Sequence, residues 1–176
     1  MEPGNSMKIY VAGHRGLVGS ALVRAIESSK DHTWVGRTRN ELNLLDRAAV
    51  FKYVKQEKPD WVIIAAAKVG GIHANSTYPV EFLSENLQIE TNLIDACHAA
   101  NIDRVLFLGS SCIYPKMCPQ PIKEEYFMTG PLESTNRAYA IAKIAGVEMC
   151  QSYHRQFGSR FISVMPTNLY GPNDNF

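Results

Sequence analysis

Three glycines, Gly13, Gly16 and Gly19, stand three apart between the short apolar run Lys8–Ala12 and a set of apolar residues, Leu17, Val18, Ala21, Leu22, Ala25 and Ile26, at helical spacing. Strand, tight turn and helix in that order constrain the fold more than any other feature of the chain. Glycines at such a turn let the backbone bend sharply and approach a pyrophosphate, whose charge is met by the free amides of the helix N-terminus. A plain β–α turn also tolerates glycine, so the flanking strand and helix carry the reading. The pattern predicts the opening of a βαβ unit and a dinucleotide or nucleotide site at its turn.

The rest of the sequence continues that alternation. A weaker strand is expected at Thr33–Val35, a helix marked by Ala48, Val50, Phe51 and Val54 and ended before Pro59, and a strand at Trp61–Ala66. Apolar residues run through that third strand without alternating, as in a parallel sheet covered on both faces. A long helix is expected over Pro79–Ala100, with Leu83, Leu87, Ile94 and Cys97 in its apolar stripe, then a strand at Val105–Leu108. Pro115, Pro119, Pro121 and Pro131 predict an irregular, exposed stretch of the sort that often lines a site. A helix over Asn136–Gln156 and a strand at Phe161–Met165 complete the pattern. Five strand-like runs separated by helices predict an α/β fold with a doubly wound, Rossmann-type parallel sheet. Met1–Ser6 is polar and reads as an N-terminal extension or expression remnant, leaving residues 7–176 as one domain, and the chain's end just past a Pro-Thr-Asn-Leu-Tyr-Gly-Pro loop reads as an interruption.

Composition excludes several classes. The 176 residues suffice for one domain with a real core. Eighteen Lys and Arg against 17 Asp and Glu leave a net charge of +1, without the basic block that nucleic-acid binding needs. The longest apolar run, Trp61–Ala67, falls far short of the ~20 residues of a membrane span. Cys97, Cys112, Cys118 and Cys150 form no CxxC pair and no signal-like start precedes them, so reduced thiols in a cytoplasmic protein are expected. The five histidines show no metal-ligand spacing, and no metal is expected.

The candidate chemistry lies at three places. Where an NAD site would carry an acidic residue after the second strand, this chain has Val35-Gly36-Arg37-Thr38-Arg39, with no carboxylate until Glu41. Two cations there, Arg37 and Arg39, together with Arg15 within the glycine turn, suit a 2′-phosphate, so NADP is favoured over NAD. Tyr139 and Lys143 are four apart and share a helix face. A phenol with a reference pKa of about 10 needs a neighbouring ammonium to exchange a proton near neutrality. Ser110, at the end of the fourth strand, is placed to hydrogen-bond a substrate oxygen, and Cys112 two residues on can move a proton or act as a nucleophile if a cationic site lowers its pKa. The other three cysteines read as small buried hydrophobes.

Together these motifs resemble the extended short-chain dehydrogenase/reductase superfamily and, within it, the GDP-L-fucose synthase family of bifunctional 3,5-epimerase/4-reductases. The resemblance runs from Lys8 to Phe176, through Ala12-Gly13-His14-Arg15-Gly16-Leu17-Val18-Gly19, Glu41-Leu42-Asn43-Leu44-Leu45-Asp46 and Ala65-Ala66-Ala67-Lys68-Val69-Gly70-Gly71-Ile72. It continues through Gly109-Ser110-Ser111-Cys112-Ile113-Tyr114-Pro115, Tyr139-Ala140-Ile141-Ala142-Lys143 and Met165-Pro166-Thr167-Asn168-Leu169-Tyr170-Gly171-Pro172. The glycine and YxxxK motifs are common to the superfamily, whereas the cysteine-bearing and Ala-Lys-Val-Gly-Gly segments are more particular.

The resemblance implies NADPH as cofactor, a GDP-4-keto-6-deoxy-sugar as substrate and a homodimer built on the helices around Pro79–Ala100 and Asn136–Gln156. It implies that Cys112 is the epimerisation base, Tyr139 the proton donor to the C4 oxygen, Lys143 the residue that holds the nicotinamide ribose and acidifies Tyr139, and Ser110 the polarising hydroxyl. Residues 13–19, Arg39, Asn40, Glu41, Leu42, Asn43, Leu44, Leu108, Gly109, Ser110, Ser111, Lys143, Pro166, Thr167, Asn168 and Leu169 would contact the cofactor. The family's companion acid, a histidine, matches none of the five here, and it and the substrate-gripping domain would lie beyond Phe176. Two other readings stay open: another nucleotide-sugar epimerase or dehydratase of the superfamily, with Cys112 as packing, and a non-catalytic nucleotide-binding module. Retention of Ser110, Tyr139 and Lys143 together counts against the second.

Overall fold

Strand β1 (Lys8–Ala12) pairs with β2 (Thr33–Val35) on one side and β3 (Trp61–Ile64) on the other, and β4 (Arg104–Leu108) and β5 (Arg160–Val164) extend the sheet beyond β3. The computed structural model describes residues 6–172 and 174. All but Ser6 of the expected N-terminal extension, and three of the last four residues of the expected domain, lie outside them. Every pairing is parallel, in the order β2-β1-β3-β4-β5. Strand order reverses between β1 and β3, and the crevice at the carboxyl ends of those strands is where a doubly wound sheet receives ligands.

Helices α1 (Leu17–Ser29), α2 (Arg47–Glu57), α4 (Pro79–Ala99) and α5 (Arg137–Phe157) fall where apolar periodicity places them. Two of them are closed by sequence-readable ends: Asp46 accepts a hydrogen bond from the Ala49 amide at the start of α2, and Gly158 takes a left-handed conformation after α5. The short helix α3 (Ile72–Thr77) was not expected. Its amphipathic signal is too brief to register, and it is secured by the buried Asn75 side chain, which donates to the Gly70 and Gly71 carbonyls. Strands β3 and β5 end one or two residues before the expected limits, at Ile64 and Val164. The chain keeps bonding past both ends: Ala65 N–H donates to Ala12 O, and Ser111 N–H to Pro166 O. The proline-rich stretch holds single 3-10 turns at 111–113, 124–126 and 134–136, and is exposed apart from places such as Ile113 and Tyr114.

The two faces of the sheet differ. Tyr10, Ala12, Val62, Ile64, Val105, Phe107 and Phe161 pack into one large core with side chains of α2, α4 and α5. Ile9, Val11 and Ile63 meet Ile26, Leu22 and Val23 of α1 on the opposite face. That second face is covered at β1 and β3 but open toward β5, where Ile162 and Val164 are 49% and 39% exposed. Continuous apolar strands without a covering layer are unusual in a parallel sheet.

Candidate active site

At the β1–α1 turn, Gly13 adopts φ +86°, a conformation that favours glycine, and a Cβ there would lie 2.7 Å from Ala66 N. The turn therefore presses directly against the loop leaving β3. Gly19 presents bare backbone to the same turn, since a Cβ on it would overlap Gly13 O. Gly16 N–H donates to Gly13 O, and Gly16 caps α1 without a side-chain partner for the following amides. The first turn of α1 carries no acidic residue, so the amides and dipole of Leu17, Val18 and Gly19 remain available to an anion.

A cleft of about 360 Å³ opens beside this turn, lined by Gly13, His14, Arg15, Gly16, Arg37, Thr38, Arg39 and Asn40. Arg15 and Arg39 are exposed at its rim. Arg37 is tied down instead: its guanidinium donates to Gly36 O and Glu57 and lies over the Tyr53 ring. His14 packs on Trp34, and its buried Nδ1 has no hydrogen-bond partner. Burial and the Arg15 charge hold the His14 imidazole below its ordinary pKa, which keeps it neutral beside the cationic rim. The Arg residues, the open amides and an unsatisfied buried polar atom in one cleft fit a phosphorylated ligand.

The neighbouring expected residues hold the loop rather than line it. Glu41 accepts from the Thr38 amide and hydroxyl, both at 2.7 Å, bonds that hold its carboxyl below the usual range. Leu42 is buried in the core and Leu44 packs against it, while Asn43 accepts from the Leu45 amide and Leu44 O accepts from Asn92. Asn86 clamps the loop after β3 to α4: Lys68 N–H donates to its Oδ1 and its Nδ2 donates to Lys68 O. The Lys68 ammonium reaches Glu85 at 2.7 Å.

At the carboxyl ends of β4 and β5 the two expected loops meet. Ser111 N–H donates to Pro166 O, and a Cβ on Gly109 would sit 3.2 Å from both Met165 Sδ and Val164 O. The Ser110 hydroxyl accepts from Cys112 N–H at 3.4 Å, holding the 111–113 turn, against which α5 packs. Thr167, Asn168 and Leu169 are exposed beyond that contact.

Lys143 enters from α5 and is sealed: its side chain is 2% exposed and its ammonium stands 3.0 Å from Glu90 of α4, itself 1% exposed. It lies 4.6 Å from the Phe107 ring centre and 5.8 Å from that of Tyr139. The expected acidification of Tyr139 is not what the geometry supports. Burial first, then Cys112 and Glu90, push its phenol well above the ordinary value, and the Lys143 charge is paired with Glu90. Burial likewise raises the Cys112 thiol, with Ser110 and Lys143 pulling weakly the other way. Both groups therefore rest protonated at neutral pH, and a thiol in that state is a poor base until it is activated.

Sequence reasoning missed Glu90, Asn86, Thr38 and the Ala65–Ala66 contact. A signal for Glu90 was present: Leu83, Leu87, Ile94 and Cys97 define a stripe on α4, and position 90 falls on it. A charged residue on an apolar stripe needs a buried partner. Among the described residues, no group of three or more His, Cys, Asp and Glu is placed to hold a metal ion, and no helix is long and apolar enough to cross a membrane.

The glycine turn and its arginine-rimmed cleft, at the carboxyl edge of one parallel doubly wound sheet, belong to a Rossmann-type NAD(P)-binding fold. The chain belongs to the NAD dependent epimerase/dehydratase family, whose model matches residues 9–176. It is 55% identical over 172 residues to the GDP-L-fucose synthase of Escherichia coli K12, covering 98% of this chain and 54% of that protein. It is 58% identical over 171 residues to GDP-L-fucose synthase 1 of Arabidopsis thaliana, covering 97% and 53% respectively. Among solved structures, the GDP-mannoheptose C4 reductase MlghC of Campylobacter jejuni with NADP bound matches with a TM-score of 0.93 at 39% identity, covering 99% of this chain and 55% of that one. The chain thus spans about half the length of the curated relatives it matches.

Proposed function

We propose that this chain supplies the cofactor-binding part of an NADPH-dependent enzyme that epimerises C3 and C5 and reduces C4 of GDP-4-keto-6-deoxy-D-mannose, giving GDP-L-fucose. The observation that carries the reading is the approach of Ser110 and Cys112, after β4, to Tyr139 and Lys143 of α5, on the same carboxyl edge of the sheet as the arginine-rimmed cleft. The names and cofactors of the similar proteins support the same substrate class and NADP.

In this reading Arg15 and Arg39 take the 2′-phosphate and the glycine turn with the α1 amides takes the pyrophosphate. Leu108–Ser111 and Pro166–Leu169 flank the nicotinamide end, and Lys143 takes the ribose there by turning its ammonium out from the buried contact with Glu90. NADPH supplies the hydride for C4. Cys112 removes and returns the proton α to the C4 carbonyl. Tyr139 gives its proton to the C4 oxygen, and Ser110 donates a hydrogen bond to that oxygen. Epimerisation and reduction both place negative charge there, so one set of donors serves both steps. We further infer a cytoplasmic homodimer that uses the α4 and α5 surface, a reading supported by four free cysteines and by exposed Val80 and Ile141 on those helices.

A second reading, reduction at C4 without epimerisation, is favoured by the likeness to a C4 reductase and by the raised pKa of the Cys112 thiol. The two part on Cys112→Ser in the complete protein: under the first reading, solvent deuterium no longer enters C3 and C5 of the substrate, while reduction of an already epimerised ketone persists. The cofactor is tested by calorimetric titration of the chain with NADPH and with NADH. NADPH is expected to bind at least about tenfold more tightly, ~1.4 kcal/mol, and equal affinities would defeat the assignment of Arg15 and Arg39.

A further inference from the structure

Glu90 is the buried charge for which neither the fold nor the proposed chemistry has yet given a use. Its side chain is fixed on α4 in the middle of the main core, and the Lys143 ammonium is its ion-pair partner at 3.0 Å. The ammonium stands on the Oε1 side, and the buried Oε2 has no hydrogen-bond partner. The space it occupies is made by Gly146 of α5, where a Cβ would come to 3.0 Å from Glu90 Oε2 and would overlap the Phe107 ring. A buried carboxylate costs several kcal/mol unless paired. Apolar side chains of similar volume would fill such a site at less cost, so the charge calls for a role beyond packing.

The groups around it identify that role. From α5, Lys143, Tyr139 and Cys150 face or sense the carboxylate, and Cys112 approaches Lys143 and Tyr139 from the turn after β4. β4 contributes Phe107, which is neutral, and α2 contributes Arg47, which is occupied by Asp95 on another face of α4. On α4 itself the nearest titratable neighbour in the core is Cys97, which interacts with Cys150. On α3, His73 is exposed. Among the described residues, Lys143 is thus the one cation paired with Glu90.

We propose that Glu90 is a positioning residue of the site: its carboxylate holds the Lys143 ammonium against Phe107 and sets how much of that positive charge reaches Tyr139 and Cys112. With Glu90 ionised the pair is nearly neutral toward its neighbours, and phenol and thiol both keep their protons. With Glu90 protonated the ammonium acts alone and both become more acidic. Burial raises the Glu90 carboxyl to about 7 against the pull of Lys143, so this adjustment falls near neutral pH. The inference rests on the proposed Tyr139–Lys143 chemistry for its meaning, but its electrostatic content can be measured without turnover.

The test reads Cys112. The chain, its Glu90→Gln variant and its Lys143→Met variant are alkylated with iodoacetamide across pH 6–10, and labelling at each cysteine is followed by peptide mass spectrometry. Removing the negative charge in E90Q should lower the apparent pKa of Cys112 by about one unit and raise its alkylation rate several-fold at pH 7.5. Removing the positive charge in K143M should move both in the opposite direction. Glu90→Asp should lie near the parent. Cys97 and Cys150, both buried, serve as an internal control, since their labelling reports loss of the fold. If E90Q unfolds, the carbon-13 titration of the Glu90 carboxyl in the parent and in K143M decides the matter: a midpoint near neutrality that rises in K143M supports the proposal. Cys112 shifts of the same sign in both variants, or a Glu90 midpoint near 4 unaffected by Lys143, would overturn it. Failure of the keto-sugar assay alone would strike the proposed activity and leave these shifts standing.

Discussion

Lys143 and Arg39 both meet a glutamate of α4, and the two contacts are electrostatic opposites. The Lys143–Glu90 pair spans 3.0 Å with both side chains at 2% exposure or less. Arg39 reaches Glu85 only at 3.9 Å, with its own side chain 74% exposed. A charge in the core has no water to fall back on, so its partner is obligatory and fixes its position. At the rim water is the alternative partner, and Arg39 is free to leave Glu85 for a phosphate. The molecule thus keeps the cation that must stay in place inside and the cations that must meet a ligand outside.

The largest expected effect comes from breaking the inner pair. Lys143→Met leaves a carboxylate buried without a counter-charge, and such losses cost ~3–5 kcal/mol. Urea melts should show the deficit at pH 8 and a smaller one at pH 5.5, where Glu90 is protonated and the missing ammonium matters less. A pH-independent deficit would mean that Lys143 contributes packing alone.

Next in size is the pH dependence of the unaltered chain. Glu90 has a folded pKa of about 7 against an unfolded value in the ordinary carboxylate range. Between those values the folded state holds the extra proton, so stability falls as pH rises from about 5 to about 8, by an amount on the order of 1–3 kcal/mol. The favourable contribution is present in full only below the unfolded carboxylate pKa and is lost as pH rises through the folded value and Glu90 ionises. Glu90→Gln should flatten this slope, and a slope that survives the substitution would assign it to another group.

The same contrast explains which parts of the molecule could be read in advance. Gly13, Gly16 and Gly19 announce the cleft because the requirement is local: a backbone turn and a helix start within seven residues. The five strands were legible because a parallel sheet leaves apolar runs. Tyr139 and Lys143 were legible as a pair because four residues make one helical turn. What could not be read is what Lys143 does with its charge, since Glu90 lies on another helix and meets it only after two crossovers. For the same reason the environment that raises Tyr139 and Cys112 was misjudged: their spacing is local, but their burial is not. Helix α3 was missed for a different cause, being too short to show a period. The open face of β5 escaped notice too, because exposure of Ile162 and Val164 depends on what else covers the sheet.

The rim should respond in binding rather than in stability. Replacing both Arg15 and Arg39 with Ala removes two cations from the expected 2′-phosphate position, and NADPH affinity should fall by about 10- to 100-fold, ~1.4–2.8 kcal/mol, with NADH affinity little changed. Raising the salt concentration should weaken NADPH binding to the parent more than to the double variant, because exposed charges are screened. Equal losses for both dinucleotides would place these arginines on the pyrophosphate instead.

The smallest effect tests the comparison at its other end. Arg39→Ala alone removes a 3.9 Å contact to a carboxylate, Glu85, that keeps a closer partner in Lys68 at 2.7 Å. Exposed pairs of that length contribute little, so the urea midpoint should move by no more than about 0.5 kcal/mol in stability, and its slope with pH should match the parent. A larger loss would show that Arg39 is part of the structure that holds the loop after β2, as Arg37 is through Glu57 and Tyr53. In that event the division between a fixed inner cation and free outer ones would run between Arg15 and Arg39 rather than between the core and the rim.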